Sequence, residues 1–287
     1  MIYVLVPAYN EAPTIGLLLW KVRQVFTAFE REYQLLVVDD ASTDGTDEVL
    51  GPYTRALPLT LITHRDRQGY ARSLEELLRL AVARSDRPRR DAAVTIQADF
   101  SEDPDDLPEL IRRLESGADL VVADARSRPG MRFAERLARR LAPLAARPFC
   151  GAPGTEAAPG TLRAYRVGIL ARALGGRGPL LSGDGWGADL ELLVRSATEA
   201  RRVEVVPLAR PARARQREPR LRPLRALLGL VTAARGLGRH AGAPAGGQEP
   251  PRERPPRRGR GRRGGRRRGE RSAGPASGGP VAAEGSA

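Results

Sequence analysis

Val37-Val38-Asp39-Asp40-Ala41-Ser42-Thr43-Asp44-Gly45-Thr46 decides the fold of this 287-residue chain. An apolar run ends in two carboxylates, and small polar residues and a glycine follow before a helical pattern begins. A similar arrangement stands earlier, where the apolar residues from Ile2 lead into Val6-Pro7-Ala8-Tyr9-Asn10-Glu11. Each run places polar groups at the C-terminal end of a buried strand, where an open α/β sheet binds its ligand.

Outward from these runs, strand-like and helical patterns alternate, which predicts parallel βαβ units. Strands are expected near 2–6, 34–39, 59–63, 92–97 and 119–124, with helices near 13–30, 44–56, 69–84 and 105–116. Pro13 suits the first turn of a helix, Asp44 can cap the helix after the second strand, and Asp103-Pro104 opens another. This is a Rossmann-like, mostly parallel sheet flanked by helices. From 126 to 165 the pattern loosens. Residues 131–147 set Leu137, Leu141 and Leu144 at helical spacing among five arginines, which suits a core-facing helix and a membrane-surface helix equally. The segment 160–165, a helix after Arg166, another near 186–200 and a strand near 203–208 complete the globular part. The expected domains are a catalytic-sized unit over 1–220, a basic amphipathic helix over 221–240 and a disordered tail over 241–287. The tail is Pro, Gly and Arg with almost no large apolar side chains, too little to offset ordering.

Charge is segregated in the same way. Residues 1–200 carry 26 Lys and Arg against 28 Asp and Glu, whereas 201–287 carry 22 against 6, so the net +14 belongs to the C-terminal part. Such a segment suits an anionic membrane surface, with nucleic acid reachable only through the tail. Arg itself carries no message, because 47 Arg stand against the single Lys21. Cys150 is the only cysteine, which excludes an intrachain disulfide and suits a reducing compartment. No stretch reaches the roughly 18 to 20 apolar residues of a membrane span, and no signal-peptide pattern opens the chain. A cytoplasmic protein, peripheral at the membrane, is expected.

A third loop carries further chemistry: Val94-Thr95-Ile96-Gln97-Ala98-Asp99-Phe100-Ser101-Glu102-Asp103-Pro104. Asp39 and Asp40 can accept from hydroxyl or N–H groups of a ligand, and Tyr9 can supply a stacking face. Asp184 lies in the glycine-rich run 182–187, and Asp189 follows it at a helix start. His64 is expected to be an ordinary strand-end residue, and neither it nor His240 forms a nucleophilic pair with Ser or Cys.

Together these motifs resemble the family 2 glycosyltransferases of GT-A fold, and within them the dolichol- or polyprenyl-phosphate hexosyltransferases. The likeness covers about residues 1 to 225, sharp in the first half and blurred in the second. It implies that Pro7, Ala8, Tyr9, Asn10, Glu11, Asp39, Asp40, Gln97 and Ala98 bind a nucleotide diphosphate sugar. It also implies that the third loop holds Mg2+ or Mn2+ against the donor phosphates. There the family carries Asp-x-Asp, and this chain has Gln97 in place of the first Asp. Asp99 is then the direct ligand, with Gln97 and Ser101 as helpers, and the neutral amide should weaken the metal site. Gly160-Thr161-Leu162-Arg163-Ala164-Tyr165-Arg166 resembles a stretch of the lipid-phosphate enzymes, although Glu156-Ala157-Ala158-Pro159 replaces the Asp and Ser usual before it. Arg213 to Arg220 occupies the place of a phosphate-clamping loop, so Arg163, Arg215 and Arg217 are the expected phosphate ligands.

The expected function is inverting transfer of a hexose from a nucleotide diphosphate sugar to a polyprenyl phosphate at the cytoplasmic membrane face. A phosphate acceptor is already ionised near neutral pH and needs no protein base, so Asp99 and Arg163 would carry the catalysis. A saccharide or other hydroxyl acceptor would need a carboxylate, and Asp189 or Asp184 is the candidate. A non-catalytic nucleotide-sugar-binding protein is the third possibility, motivated by Gln97.

Overall fold

β1 (Ile2–Ala8) has Val4, Leu5 and Val6 wholly shielded from solvent on both faces, as a central parallel strand requires. In the computed structural model, which describes residues 1–124, 137, 140–144, 152–155, 160–175, 181, 183, 185–208 and 228–235, it is the third strand of a mixed seven-stranded sheet. The elements follow as α1 (Ala12–Phe29), β2 (Tyr33–Asp39), α2 (Thr46–Ala56), β3 (Leu59–Thr63), α3 (Tyr70–Arg84) and β4 (Ala92–Thr95). A 3-10 turn (Pro104–Asp106) leads into α4 (Leu107–Glu115), then β5 (Leu120–Asp124), β6 (Arg163–Arg166), α5 (Val167–Ala173), α6 (Trp186–Glu199) and β7 (Val203–Pro207). The sheet order is β3-β2-β1-β4-β6-β5-β7.

Pairing is parallel except at β6, which runs antiparallel to both β4 and β5. Register aligns Thr63, Asp39 and Ala8 in one row at the C-terminal edge, while β4 leaves the sheet at Thr95, opposite Leu5. Pro7 lies beyond that last β1–β4 pair, so its missing N–H falls where β1 has only one partner strand. Alternation along β1 divides the core. Val4 and Val6 face the side packed by α1 and α4, and Tyr3 and Leu5 face the side packed by α3, α5 and α6.

Helix starts follow local chemistry. Pro13 sits in the first turn of α1, and the Asp103 carboxylate accepts from Asp105 N at 3.0 Å as the 3-10 turn opens. Asp44 is not the cap of α2 but stands one residue before it and ties α2 to α1. Gly45 is the N-cap residue, at φ 84°, while Asp44 accepts from Thr46 N through Oδ1 and from Ala12 N of α1 through Oδ2, each at 3.2 Å.

The described part of 131–147, residues 137 and 140–144, is helical and turns its leucines outward. Leu137, Leu141 and Leu144 are 45%, 44% and 62% exposed, and Ala142 is the buried side chain. That excludes the core-facing alternative for the leucine stripe. Residues 228–235 are also helical and bury Leu230, Ala233 and Ala234 while Leu228 stays exposed. They pack closely on α6. A Cβ on Gly187 would come within 3.1 Å of Gly229 O and 3.3 Å of Ala233 Cβ. The expected tail over 241–287 lies outside the described residues.

Candidate functional site

Among the described residues, four other than glycine have positive φ, and three stand in the loops that follow β1, β2 and β4: Asn10 (52°), Ala41 (58°) and Phe100 (58°). Such backbone is held only where its surroundings over-determine it, and it collects at ligand sites. Here the first two loops hold each other. Asn10 N donates to Ser42 Oγ (2.8 Å), Thr43 N donates to Asn10 Oδ1 (2.7 Å), and Glu11 N donates to Thr46 Oγ1 (2.8 Å). Tyr9, at the head of the first loop, carries the Arg67 guanidinium 4.1 Å above its ring, a cation–π contact.

The adjacent aspartates have different tasks. Asp39 accepts from Ser42 N and Ser42 Oγ, and burial outweighs those bonds to push its carboxyl above the ordinary range. Asp40 serves as a brace. It accepts from Gln68 N at 2.7 Å and Gly69 N at 2.8 Å, and its Oδ1 lies 2.8 Å from His64 Nδ1. Burial alone would raise its pKa, but His64 and the two N–H groups outweigh that and hold it low.

The third loop leaves the edge between β1 and β6. Asp99 Oδ1 accepts from Ser101 N at 2.9 Å. Glu102 turns inward and accepts three backbone N–H groups, from Gln97 (3.1 Å), Thr161 (3.1 Å) and Leu162 (2.7 Å), so one buried carboxylate joins this loop to the segment before β6. Gln97 Nε2 donates to Thr161 Oγ1 (2.6 Å), and Thr161 Oγ1 donates onward to Asp189 Oδ2 (3.3 Å). Asp189 Oδ1 accepts from Tyr70 Oη at 2.7 Å. Burial and then the Asp189 charge push the Tyr70 hydroxyl well above its usual value. Asp189 is 1% exposed, in the first turn of α6, and belongs to a continuous polar chain that reaches Gln97.

The model of one protein family, glycosyl transferase family 2, matches residues 3–174. The chain belongs to this family. Undecaprenyl-phosphate mannosyltransferase of Micrococcus luteus is 28% identical over 209 residues, covering 71% of this chain and 81% of that protein. The undecaprenyl-phosphate 4-deoxy-4-formamido-L-arabinose transferase of Photorhabdus laumondii is 27% identical over 118 residues, 41% of this chain; of that enzyme and its Proteus mirabilis counterpart this chain spans only 35% and 49%. In fold, the chain is similar to mannosyl-3-phosphoglycerate synthase of Rubrobacter xylanophilus (TM-score 0.57, 18% identity, covering 88% of this chain and 78% of that one). It is also similar to glucosyl-3-phosphoglycerate synthase of Mycobacterium tuberculosis in complex with Mn2+, UDP and glucosyl-3-phosphoglycerate (TM-score 0.50, 23% identity, 83% and 77% covered). The architecture is the GT-A fold.

In this family 2 chain the structure brings Pro7, Ala8, Tyr9, Asn10, Glu11, Asp39, Asp40, Gln97, Ala98, Asp99 and Ser101 to one edge of the sheet, and links Asp189 to them through Thr161. Arg163 is 1% exposed between β4 and β5, and its Nη1 donates to the Asp189 carbonyl. Arg215, Arg217 and Asp184 lie outside the described residues. The sequence reading missed Glu102, Thr161, Tyr70 and Arg67, and gave His64 no task.

A divalent cation fits the donor chemistry of the third loop. Gln97 Nε2 is committed to Thr161, so of the Gln97 amide only the oxygen would ligate, together with the Asp99 carboxylate and the Ser101 hydroxyl of the same loop. One carboxylate with neutral oxygens suits Mg2+ or Mn2+ that takes its remaining ligands from phosphates and water. Among the described residues no group of three His, Cys, Asp or Glu side chains makes a protein-only cage.

Proposed function

We propose that this protein transfers a hexose from a nucleotide diphosphate sugar to a polyprenyl-phosphate acceptor, with inversion, at the cytoplasmic face of a membrane. The observation that carries the donor half is the opening of the Asp39 row and the Gln97–Asp99 loop on one sheet edge, where two strained loops are stapled together. The acceptor half is supported by the likeness to the Micrococcus luteus undecaprenyl-phosphate mannosyltransferase, which extends over 81% of that protein. Among the described residues no helix is long and apolar enough to cross a membrane, and the outward leucines at 137, 141 and 144 offer a surface for a bilayer-borne acceptor.

Asp39 receives ribose or base, Tyr9 and Arg67 flank the base, and Asp99, Gln97 and Ser101 would hold the divalent cation. That cation, when bound, stabilises the negative charge of the departing nucleoside diphosphate. The chain's own residues do the aligning. The loop ties fix the donor so that a phosphate oxygen attacks the anomeric carbon from the face opposite the leaving group. The acceptor phosphate has its second pKa near ~6, so its oxygen attacks without a protein base. Arg215 and Arg217 supply positive charge for the phosphates. Arg163 supports the site from behind, through the Asp189 backbone.

A second reading has its own observation. Asp189, buried and aligned by Tyr70 and Thr161, has the setting of a general base, which a hydroxyl acceptor needs. Transfer assays with a polyprenyl phosphate and with a panel of saccharides, each with Asp189→Asn, separate the two. Activity on the lipid phosphate that survives Asp189→Asn supports the first; activity on a saccharide alone, lost in Asp189→Asn, replaces it with the second.

A further inference from the structure

His64 follows β3, with Nδ1 2.8 Å from Asp40 Oδ1 and Nε2 2.8 Å from Glu76 Oε2. Ionised carboxylate oxygens only accept, so each ring nitrogen at this distance must bring its own hydrogen, and a neutral imidazole has only one. The geometry therefore calls for an imidazolium. Asp40 reaches it from the end of β2 and Glu76 from α3, and after burial these two carboxylates have the largest effect on the ring. Asp40 also takes the N–H groups of Gln68 and Gly69. The turn 64–69 is thus tied to Asp40 at both ends. Arg67, within it, is the cation resting on Tyr9.

We propose that His64, held as an imidazolium between Asp40 and Glu76, is a positioning residue that pins the 64–69 turn and sets where Arg67 stands over Tyr9. The consequence for catalysis rests on the reading that Tyr9 and Asp39 face the donor nucleotide. Loss of the proton removes one of the two N–H bonds and turns a lone pair toward a carboxylate. The turn then loosens and nucleotide affinity falls. Asp99 stands on the loop after β4, away from this turn, so the effect belongs chiefly to donor KM. Burial disfavours the charged ring, but the two carboxylates outweigh it and raise the pKa. The clamp is therefore complete below the ordinary value of about 6.5 and is lost as pH rises through the higher folded value.

The chain has two histidines, His64 and His240, so imidazole 15N NMR of the full protein is readily assigned with His64→Gln. Protonation of both His64 nitrogens at pH 7, with a titration above the ordinary histidine value of about 6.5 that moves down in Glu76→Gln, is the expected result; a neutral His64 at pH 7 overturns the proposal. Calorimetry with UDP, GDP and dTDP in the presence of Mn2+ reads the second half. His64→Gln, checked for folding by its melting curve, should weaken the bound nucleotide about tenfold, and Glu76→Gln should do so less. Unchanged affinity in both variants overturns the positioning role. Binding of none of the nucleotides by the native protein overturns the donor-site reading and the positioning role with it, while the NMR result still decides the charge state.

Discussion

Gln97 Nε2 lies 2.6 Å from Thr161 Oγ1, so an amide N–H, where a carboxylate would offer only lone pairs, ties the loop after β4 to the segment before β6. This direction of donation leaves the single Thr161 proton for Asp189. Gln97→Asp removes the donor and adds a charge beside Asp99. It should lower the Mn2+ concentration needed for nucleotide binding while costing about 1 kcal/mol of stability or somewhat more. Mn2+ titrations with UDP and urea unfolding of the two proteins measure both effects. A variant that gains neither metal affinity nor instability would mean that Gln97 faces away from both.

Glu102 holds three backbone N–H groups from two segments far apart in sequence. Replacing it by Ala leaves those donors buried without their acceptor, an expected loss of about 3 kcal/mol, whereas Gln keeps an acceptor oxygen and loses less. Chemical denaturation of both variants gives the ordering, and equal stability of Ala and Gln would contradict it.

Gly187 is where α6 meets residues 228–235, and a methyl group there would press on the Gly229 carbonyl at 3.1 Å. Gly187→Val should destabilise the protein by about 1 to 3 kcal/mol and expose the 228–235 segment to protease. Native-like resistance to limited proteolysis would show that the contact is dispensable.

Stability should fall at both ends of the pH range, for opposite reasons. Asp40, Asp44 and Asp91 are each disfavoured by burial but held low by several hydrogen bonds that together outweigh it, chiefly to His64, to Thr46, and to Ser85 and the N-terminal ammonium. Their contribution is present above the ordinary carboxylate value near 4 and is lost as pH falls through the depressed folded values. His64 runs the other way, and its share is lost as pH rises through its raised value. Melting temperature followed from pH 3 to 9 should pass through a maximum, and His64→Gln should flatten the alkaline limb and, because His64 also helps hold Asp40 low, remove part of the acid limb.

What could be read from sequence were the features that local pattern controls. The apolar runs before Ala8, Asp39 and Gln97 place three loops at strand ends, and the alternation with helices dictates a parallel sheet there. β6 was harder: four residues long, it inserts antiparallel between β4 and β5 after an interval of loose pattern, and nothing local encodes its direction. The same holds for side chains whose role is a distant contact. Tyr70 meets Asp189 across 119 positions and Thr161 meets Gln97 across 64. No periodicity announces either. Arg163, read as a phosphate ligand, stands on that central antiparallel strand, which explains why its guanidinium is buried against the Asp189 carbonyl.

The most direct test of the account is Mn2+-dependent transfer from a panel of UDP-, GDP- and dTDP-sugars, with and without a short polyprenyl phosphate, Asp99→Ala measured beside the native protein. Turnover that requires the lipid phosphate and falls by at least about a hundredfold in Asp99→Ala is the expected result. Nucleotide-sugar binding with no transfer to any acceptor, or transfer indifferent to Asp99, would contradict it.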